Sequence, residues 1–421
     1  MIRLKKIRHK IQYAAWKFID SKSKKYALIA TKRGDLQEAI FFWTKAEKLF
    51  PKDLECFNNK INCLSALRNK PANSKDLLKA ETLNITLSKN IKNIIVFLVP
   101  PLDGIGGGIL SIFSIYEETK NLKKIHGSEV IMCTYPGNQT VSRYTMFDND
   151  IDIYSFDQLT NHFKTIKKII IHLPEYACLQ IVNNLDEAKK SWLTNIHHVH
   201  INVMNQNIEI MPTPDELNIL RNYCTKLTIT TAHDSYSNID QALKYNCSLH
   251  KFSTYIDPKK YEITDFSKKN FCIAISPDAH ETKKTFFETV EKNLPTLEKK
   301  VISGMTYRNY LELSKSSKFS ITFGEGLDAY FVESALFGGI PFAIYNNVFF
   351  TPEFASLPTV FSSHKEMLEK LPSMITYFSQ NPDKAAQVSR DIRLVIERLY
   401  NFDNYLDNLK RFYLGDYDFK I

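Results

Sequence analysis

Apolar and polar positions change rhythm twice along the chain. In the first 90 residues they recur at helical steps: Ile2, Leu4, Ile7, Ile11, Ala15, Phe18 and Ile19 stand mostly three or four apart, with Lys and Arg between them. Residues 26–51 predict two helices punctuated by Gly34-Asp35, with Ala39, Trp43, Ala46 and Leu49 on one apolar face. Residues 54–67 predict a further helix. From Ile91 the texture becomes short apolar runs bounded by Pro and Gly. Strands are predicted at Ile94–Pro101, Glu129–Thr134, Lys168–His172, His197–Val203 and Lys226–Thr231, with a helix over Ile109–Thr119. After residue 262 the alternation restarts. It predicts strands at Phe271–Ile275, Lys299–Ser303, Phe319–Phe323 and Pro341–Tyr345, and helices at Lys283–Asn293, Tyr307–Ser314 and Tyr330–Phe337. One long amphipathic helix, Asp391–Phe412, follows. Alternating strands and helices imply parallel sheets. The expected fold class is therefore α/β, with two Rossmann-like domains behind a small all-α region. The expected boundaries are 1–90, 91–262 and 263–421.

Composition narrows the class without naming it. A length of 421 residues, 44% hydrophobic and 24% charged, is that of a folded protein of two or three domains. The net charge is +9, yet residues 1–33 carry eleven Lys and Arg against one acid, Asp20. The rest of the chain is close to neutral, which excludes a uniformly basic nucleic-acid-binding surface and leaves a local basic tether. Seven cysteines stand widely spaced with no CxxC pair, so neither a disulfide framework nor a zinc site is expected. That usage, with no apolar run of the roughly 18–20 residues a membrane span needs and no signal-peptide pattern, leads us to expect a cytoplasmic protein. Residues 1–25 have Trp16 and Phe18 among their basic positions. They either lie on an anionic membrane surface or pack on the helices behind them.

The helical region resembles a tetratricopeptide repeat in its small-residue face and closing Pro51, although a plain helical hairpin has the same pattern. Such arrays need about three repeats to stand alone, so one and a half must lean on another domain or a second subunit. A homo-oligomer is one expectation.

The stretch Ser320–Asn346, "SITFGEGLDAYFVESALFGGIPFAIYN", carries the chemistry. It reads as strand, tight turn, helix, then Gly-Gly-Ile-Pro into another strand. Glu325 stands at the end of the strand and Glu333 eight residues on, in the expected first turn of the helix. Ligands of open α/β sheets sit outside the carboxyl ends of strands, where helix N-termini suit phosphate. Glu333 alone would serve equally to compensate the helix dipole.

This segment resembles the signature of the retaining glycosyltransferases of family 4, a Glu-x7-Glu pair within "EGFGLPxxEAMAxGxPV". Glu325, Gly326, Glu333, Ala335, Gly339 and Pro341 match it. The approach "VISGMTYRNYLELSKSSKFSITFGEG" is similar too. So is the passage Thr231–Glu262, where Asp257 and Tyr261 keep the family's closing Asp and aromatic residue. The resemblance covers residues 92–415 in architecture and 230–346 in recognisable sequence. It implies the two-domain GT-B fold and a donor that is a nucleoside-diphosphate sugar. It also implies a glycan acceptor, often lipid-linked, a retaining front-face transfer, and no metal. Glu325 would then hold the sugar hydroxyls and Glu333 the ribose hydroxyls, with the amides around Gly326 and Leu327 facing the diphosphate.

Two departures stand out. Asp328-Ala329-Tyr330 replaces Gly-Leu-Pro, and Asp328 suits a helix N-cap. The family's Arg after the first strand of this domain is missing from "AISPDAHETKK", so Lys283 or Lys284 would have to neutralise the leaving phosphate, unless both merely open a solvated helix. In the first domain Gly104, Gly106, Gly107 and Gly108 join a strand to a helix, either facing the ligand or forming a structural turn. The pattern is not GxGxxG, because Ile109 holds the sixth place. His172 and His233, near strand ends, are candidates for the family's first-domain His, although each also suits the core. Asp148-Asn-Asp150 is a literal DxD without the single-domain setting that motif needs, and is expected to be a loop. Two rivals stay open: a sugar-nucleotide epimerase, which needs a carboxylate network the sequence does not single out, and a non-catalytic scaffold.

Overall fold

The computed structural model describes residues 24–31, 84–104, 106–137, 141–252 and 257–421, with the single positions 39, 40, 42, 43, 46, 59, 60 and 63. The basic stretch and most of the repeat-like pattern lie outside the described residues. What is described there is a small helical cluster of Ala27, Ala30, Ala39, Ile40, Trp43, Ala46 and Cys63. Its alanines permit close approach, and the Trp43 indole N–H donates to Thr31 Oγ1 at 3.4 Å. Among the described residues no helix is long and apolar enough to cross a membrane.

The first sheet has seven strands: β1 (Asn93–Val99), β2 (Glu129–Thr134), β3 (Ile153–Tyr154), β4 (Lys168–Pro174), β5 (His198–Asn205), β6 (Lys226–Thr231) and β7 (Ser248–Lys251), in the order β3-β2-β1-β4-β5-β6-β7. Its central strands are near-continuous apolar runs because a parallel sheet is covered on both faces, and the Ile94–Val99 side chains are all buried. Helix α1 (Gly107–Asn121) follows the glycine-rich loop. The strand order reverses between β1 and β4.

The second sheet has five parallel strands: β8 (Asn270–Ile275), β9 (Glu298–Val301), β10 (Ser317–Ile321), β11 (Ile340–Ile344) and β12 (Val360–Phe361), in the order β12-β11-β10-β8-β9. Here the order reverses between β8 and β10, the position where such sheets bind ligands. Helices α2 (Thr282–Asn293), α3 (Tyr307–Ser316), α4 (Ala329–Leu336), α5 (His364–Gln380) and α6 (Pro382–Leu399) flank the sheet. Phe286, Val290, Met367 and Ile375 fill one core with the strands, and Phe331, Leu336, Phe350, Ile392 and Ile396 fill another.

The expected single helix over 391–412 is in fact two, α6 and α7 (Phe402–Leu414). The break is chemical: Asn401 leaves helical geometry and its side chain accepts from the Asn404 amide at 3.0 Å, capping a new helix. Past α7 the chain pairs Phe419 with Leu249 of β7 in an antiparallel bridge.

Candidate functional site

The residues brought together around Glu325 and Glu333, with Gly106–Gly108 of the glycine-rich turn, belong to one compact unit: residues 105–128, 172–178 and 200–421. The turn that follows β10 sets the geometry. Gly326 has φ +92, and an added Cβ would lie 2.3 Å from the Phe350 ring and 2.9 Å from the Ile344 carbonyl. Only glycine serves there. Leu327 anchors the turn by burying its side chain in the core against α4 and α6. Asp328 caps α4, its Oδ1 accepting from the Phe331 amide at 3.1 Å and its Oδ2 from the Thr322 hydroxyl. Burial, reinforced by the charges of Asp278 and Glu325, pushes the Asp328 carboxyl up to about 7.

The helix begins at Ala329, so Glu333 lies in its second turn and not in the expected first. The dipole effect fades within one turn, so compensation does not account for this residue. Glu333 is buried, and its Oε1 accepts from the hydroxyls of Tyr261 at 3.0 Å and of Tyr307. Its Oε2 is buried with no partner among the described residues. Burial raises its pKa, and the hydroxyls of Tyr307 and Tyr261, which donate to it, oppose the rise. Oε2 is able to accept a further hydrogen bond. A two-oxygen grip on a diol would require Oε1 to give up a tyrosine.

The loop after β8 brings an acid where the resemblance implies a cation. The Asp278 carboxylate lies against Gly324, where an added Cβ would meet its Oδ2 at 2.9 Å, and that Oδ2 is buried without a partner among the described residues. Lys283 donates its ammonium to the carbonyls of Ser276 at 2.5 Å and Asp278 at 2.7 Å, and lies 5.6 Å from the Phe323 ring centroid. Burial lowers its pKa, opposed by Asp278. Lys284, with an 87% exposed side chain, points away toward Glu288 at 4.0 Å. The structure thus separates the two lysines and brings Lys283 to the strand ends. His280 and His364 stack beside it with centroids 4.1 Å apart.

Glu325 is half-buried, and its Oε1 accepts from Asn207 Nδ2 at 2.7 Å. Burial raises its pKa; the Asn207 bond opposes this, while Glu209 and Asp278 add to it. The backbone amide of the same Asn207 donates to Glu175 Oε1 at 3.1 Å. Glu175 follows β4 and is only 3% exposed; burial pushes its carboxyl up to about 7, against hydrogen bonds from backbone amides and with the Glu325 charge adding to the rise. The glycine-rich turn reaches the same place: Gln206 Nε2 donates to the Gly108 carbonyl at 3.3 Å, and an added Cβ on Gly108 would touch Gln206 Oε1 at 2.8 Å. Cβ atoms on Gly106 or Gly107 would meet nothing within 4 Å.

Glu175 and Asn207 escape a reading by motif. The signal that finds them is position alone, at the carboxyl ends of β4 and β5, once the strand order is known.

His172 sits elsewhere, and His233 borders the site through the ring of Tyr236. His172 is fully buried on β4, with Asn202 Nδ2 at 3.0 Å from its Nδ1 and the Tyr413 hydroxyl at 3.1 Å from its Nε2. Burial, with the charge of His126 adding, drives its pKa down to about 3. His233 packs its ring against Tyr236 and Phe349 at 5.6 and 5.5 Å, and burial lowers it to about 4. Asp148–Asp150 is a loop, knotted by Asn149 Nδ2 on the carbonyls of Tyr144 and Phe147, both at 3.0 Å. Among the described residues no group of three or more His, Cys, Asp or Glu could hold a metal ion.

No family model matches the chain, and no curated protein matches it. Among solved structures it is similar to an O-GlcNAc transferase of Thermobaculum terrenum (9% identity over 94% of this chain and 84% of that one, TM-score 0.40). It is also similar to a trehalose-6-phosphate synthase (8%, 77% and 98%, TM-score 0.43). A third is the UDP-N-acetylglucosamine 2-epimerase of Rickettsia bellii (10%, 76% and 99%, TM-score 0.39). Likenesses at these TM-scores carry no weight for the chemistry, which rests on the residues.

Proposed function

We propose that this protein is a glycosyltransferase that moves a sugar from a nucleoside-diphosphate sugar to a hydroxyl of a glycan, with retention and without a metal. The observation that carries the proposal is the Glu325 carboxylate, held by Asn207 at 2.7 Å beside the Gly326 turn, where the second sheet reverses its strand order. In this reading Glu325 accepts from the sugar hydroxyls and Glu333 Oε2 accepts from a ribose hydroxyl. The Gly326–Leu327 backbone, the open face at Gly106 and Gly107, and Lys283 attend the diphosphate. A preorganised turn of this kind stabilises developing charge without reorganising in the transition state. The leaving phosphate takes the acceptor's proton, and the acceptor is a lipid-linked glycan. The test is release of nucleoside diphosphate from a panel of sugar nucleotides without acceptor. Glu325→Ala is expected to depress turnover more than affinity. Glu333→Ala is expected to weaken donor binding by ~1.5–3 kcal/mol, the usual value of a charged hydrogen bond. Unchanged kinetics in both variants would sink the assignment.

One observation favours a second reading. A sugar-nucleotide epimerase needs carboxyl groups to move protons, and Glu175 and Glu325, joined through Asn207, supply a pair. The two activities differ in net product: an epimerase returns a sugar nucleotide, and a transferase releases the nucleoside diphosphate and passes the sugar to an acceptor.

A further inference from the structure

Asn207 is clamped between two carboxyl groups. Its backbone amide bonds Glu175 Oε1 at 3.1 Å and its side-chain amide bonds Glu325 Oε1 at 2.7 Å. The turn that carries it is pinned from a third side, where Tyr236 donates its hydroxyl to the Gln206 carbonyl at 2.7 Å. Glu175 is 3% exposed and its Oε2 is buried without a partner among the described residues. Backbone amides of residues 175, 206 and 207 hold the Glu175 carboxyl, and the charged groups that act on the pair are acids. Glu209 and Asp278 act on Glu325. Glu325 also acts on Asp328, and both of these on Tyr400; Glu175 acts on Cys178 and, with Glu325, on Tyr236. Burial is the main force that favours a proton on Glu175, and the charge of the half-buried Glu325 beside it adds to this. Glu175, the more enclosed of the two, is the one suited to keep that proton.

We infer that Glu175 is a positioning residue for Glu325: as the neutral acid it fixes Asn207, Asn207 fixes the Glu325 carboxylate toward the ligand, and ionising Glu175 switches the site off. The inference rests on the reading of Glu325 as a donor-site carboxylate. Loss of the Glu175 proton sets a second charge beside Glu325, which disturbs the ligand-facing carboxylate and repels an anionic donor. Glutamine in its place keeps an acceptor for the Asn207 amide and an N–H where the acid had its O–H.

The test compares wild type with Glu175→Gln in two measurements. In the ligand-free protein, a carboxyl whose folded pKa lies above its unfolded value stabilises below the unfolded value and loses that stabilisation as pH rises through the folded one. The Tm of wild type relative to Glu175→Gln is therefore expected to fall between pH 5 and pH 8, and to fall less in a Glu325→Gln background. A difference that is flat in pH overturns the inference. In the second measurement, UDP binding by calorimetry is expected to weaken in wild type by up to about tenfold per pH unit above neutrality, the limit for one coupled proton. In Glu175→Gln it is expected to hold steady. Equal pH profiles, or a Gln variant that loses turnover at every pH, overturn it too; the second result would make Glu175 an ionised catalytic group. If wild type binds no nucleotide at any pH, the donor reading fails by itself, and the ligand-free comparison still decides the proton pair.

Discussion

Glu333 and its tyrosines show what single residues contribute. A buried carboxylate is tolerated only with donors aimed at it, and Tyr261 and Tyr307 both aim at Oε1. Tyr307→Phe removes one donor and leaves the charge enclosed, so it should cost ~1–3 kcal/mol in urea unfolding. In a Glu333→Gln background the same substitution should cost clearly less, because the charge that needed the donor has gone. Additive losses in that double-mutant cycle would show that Tyr307 serves packing alone. At this scale the sequence was legible where chemistry is local. The capping role of Asp328, read from the sequence, falls within one turn. Glu175, Asn207 and Tyr307 were not legible, since they meet their carboxylate partners only after strands distant in sequence have paired.

Among the elements, the long apolar strands and their helices were legible from periodicity, and β2 and β6 keep their expected bounds. The strands that went unread are β3, β7 and β12, two to four residues long and each at a sheet edge. An edge strand is covered on fewer sides, so it lacks the apolar run that marks a central one. His172 takes the core place that the sequence also allows it. The strand expected to end at His172 runs two residues further, to Pro174, and leaves the imidazole inside. Helix α7 closes over it, with the Phe412 ring 5.4 Å from His172, 5.7 Å from His200 and 6.3 Å from His250. The hydrogen bonds fix the tautomer. Asn202 Nδ2 donates to His172 Nδ1 and to Thr230 Oγ1, so Nε2 carries the ring proton and donates to Tyr413, whose hydroxyl donates to Thr119. A second proton, on Nδ1, would point at the Asn202 Nδ2 donor. A His with a depressed folded pKa stabilises above its unfolded value of about 6.5 and loses that contribution as pH falls toward the folded value. Acidification from about 6.5 toward 3 should therefore loosen the seat of α7. In urea unfolding His172→Gln, which cannot titrate, should lose stability less steeply than wild type over that range. The difference in slope is at most about 1.4 kcal/mol per pH unit for one proton. Parallel curves would mean that other groups govern the acid response.

For the whole molecule the placement of charge matters more than its sum. Residues 1–33 carry eleven of the 55 Lys and Arg and a single acid, so the remainder is nearly neutral under a net +9. Ile2, Leu4, Ile7, Ile11, Trp16 and Phe18 are spread through the basic stretch. We propose that residues 1–25 hold the enzyme on an anionic membrane surface, where a lipid-linked acceptor would confine the reaction. Anionic lipid contributes about 1 kcal/mol per Lys or Arg near the surface, so a few such contacts suffice for a reversible tether. The competing arrangement packs the same apolar residues against the helical cluster around Trp43 or against a second subunit. Salt separates the two, because an electrostatic tether weakens as ions screen it while apolar packing does not. Full-length protein should co-sediment with phosphatidylserine-containing vesicles at low salt, release at high salt, and ignore neutral vesicles. Removing residues 1–25 should abolish the binding and leave nucleoside diphosphate release from the donor intact. If the truncated protein still sediments, or the full chain ignores anionic vesicles at low salt, the stretch is a packing element and the acceptor must be brought to the site by other means.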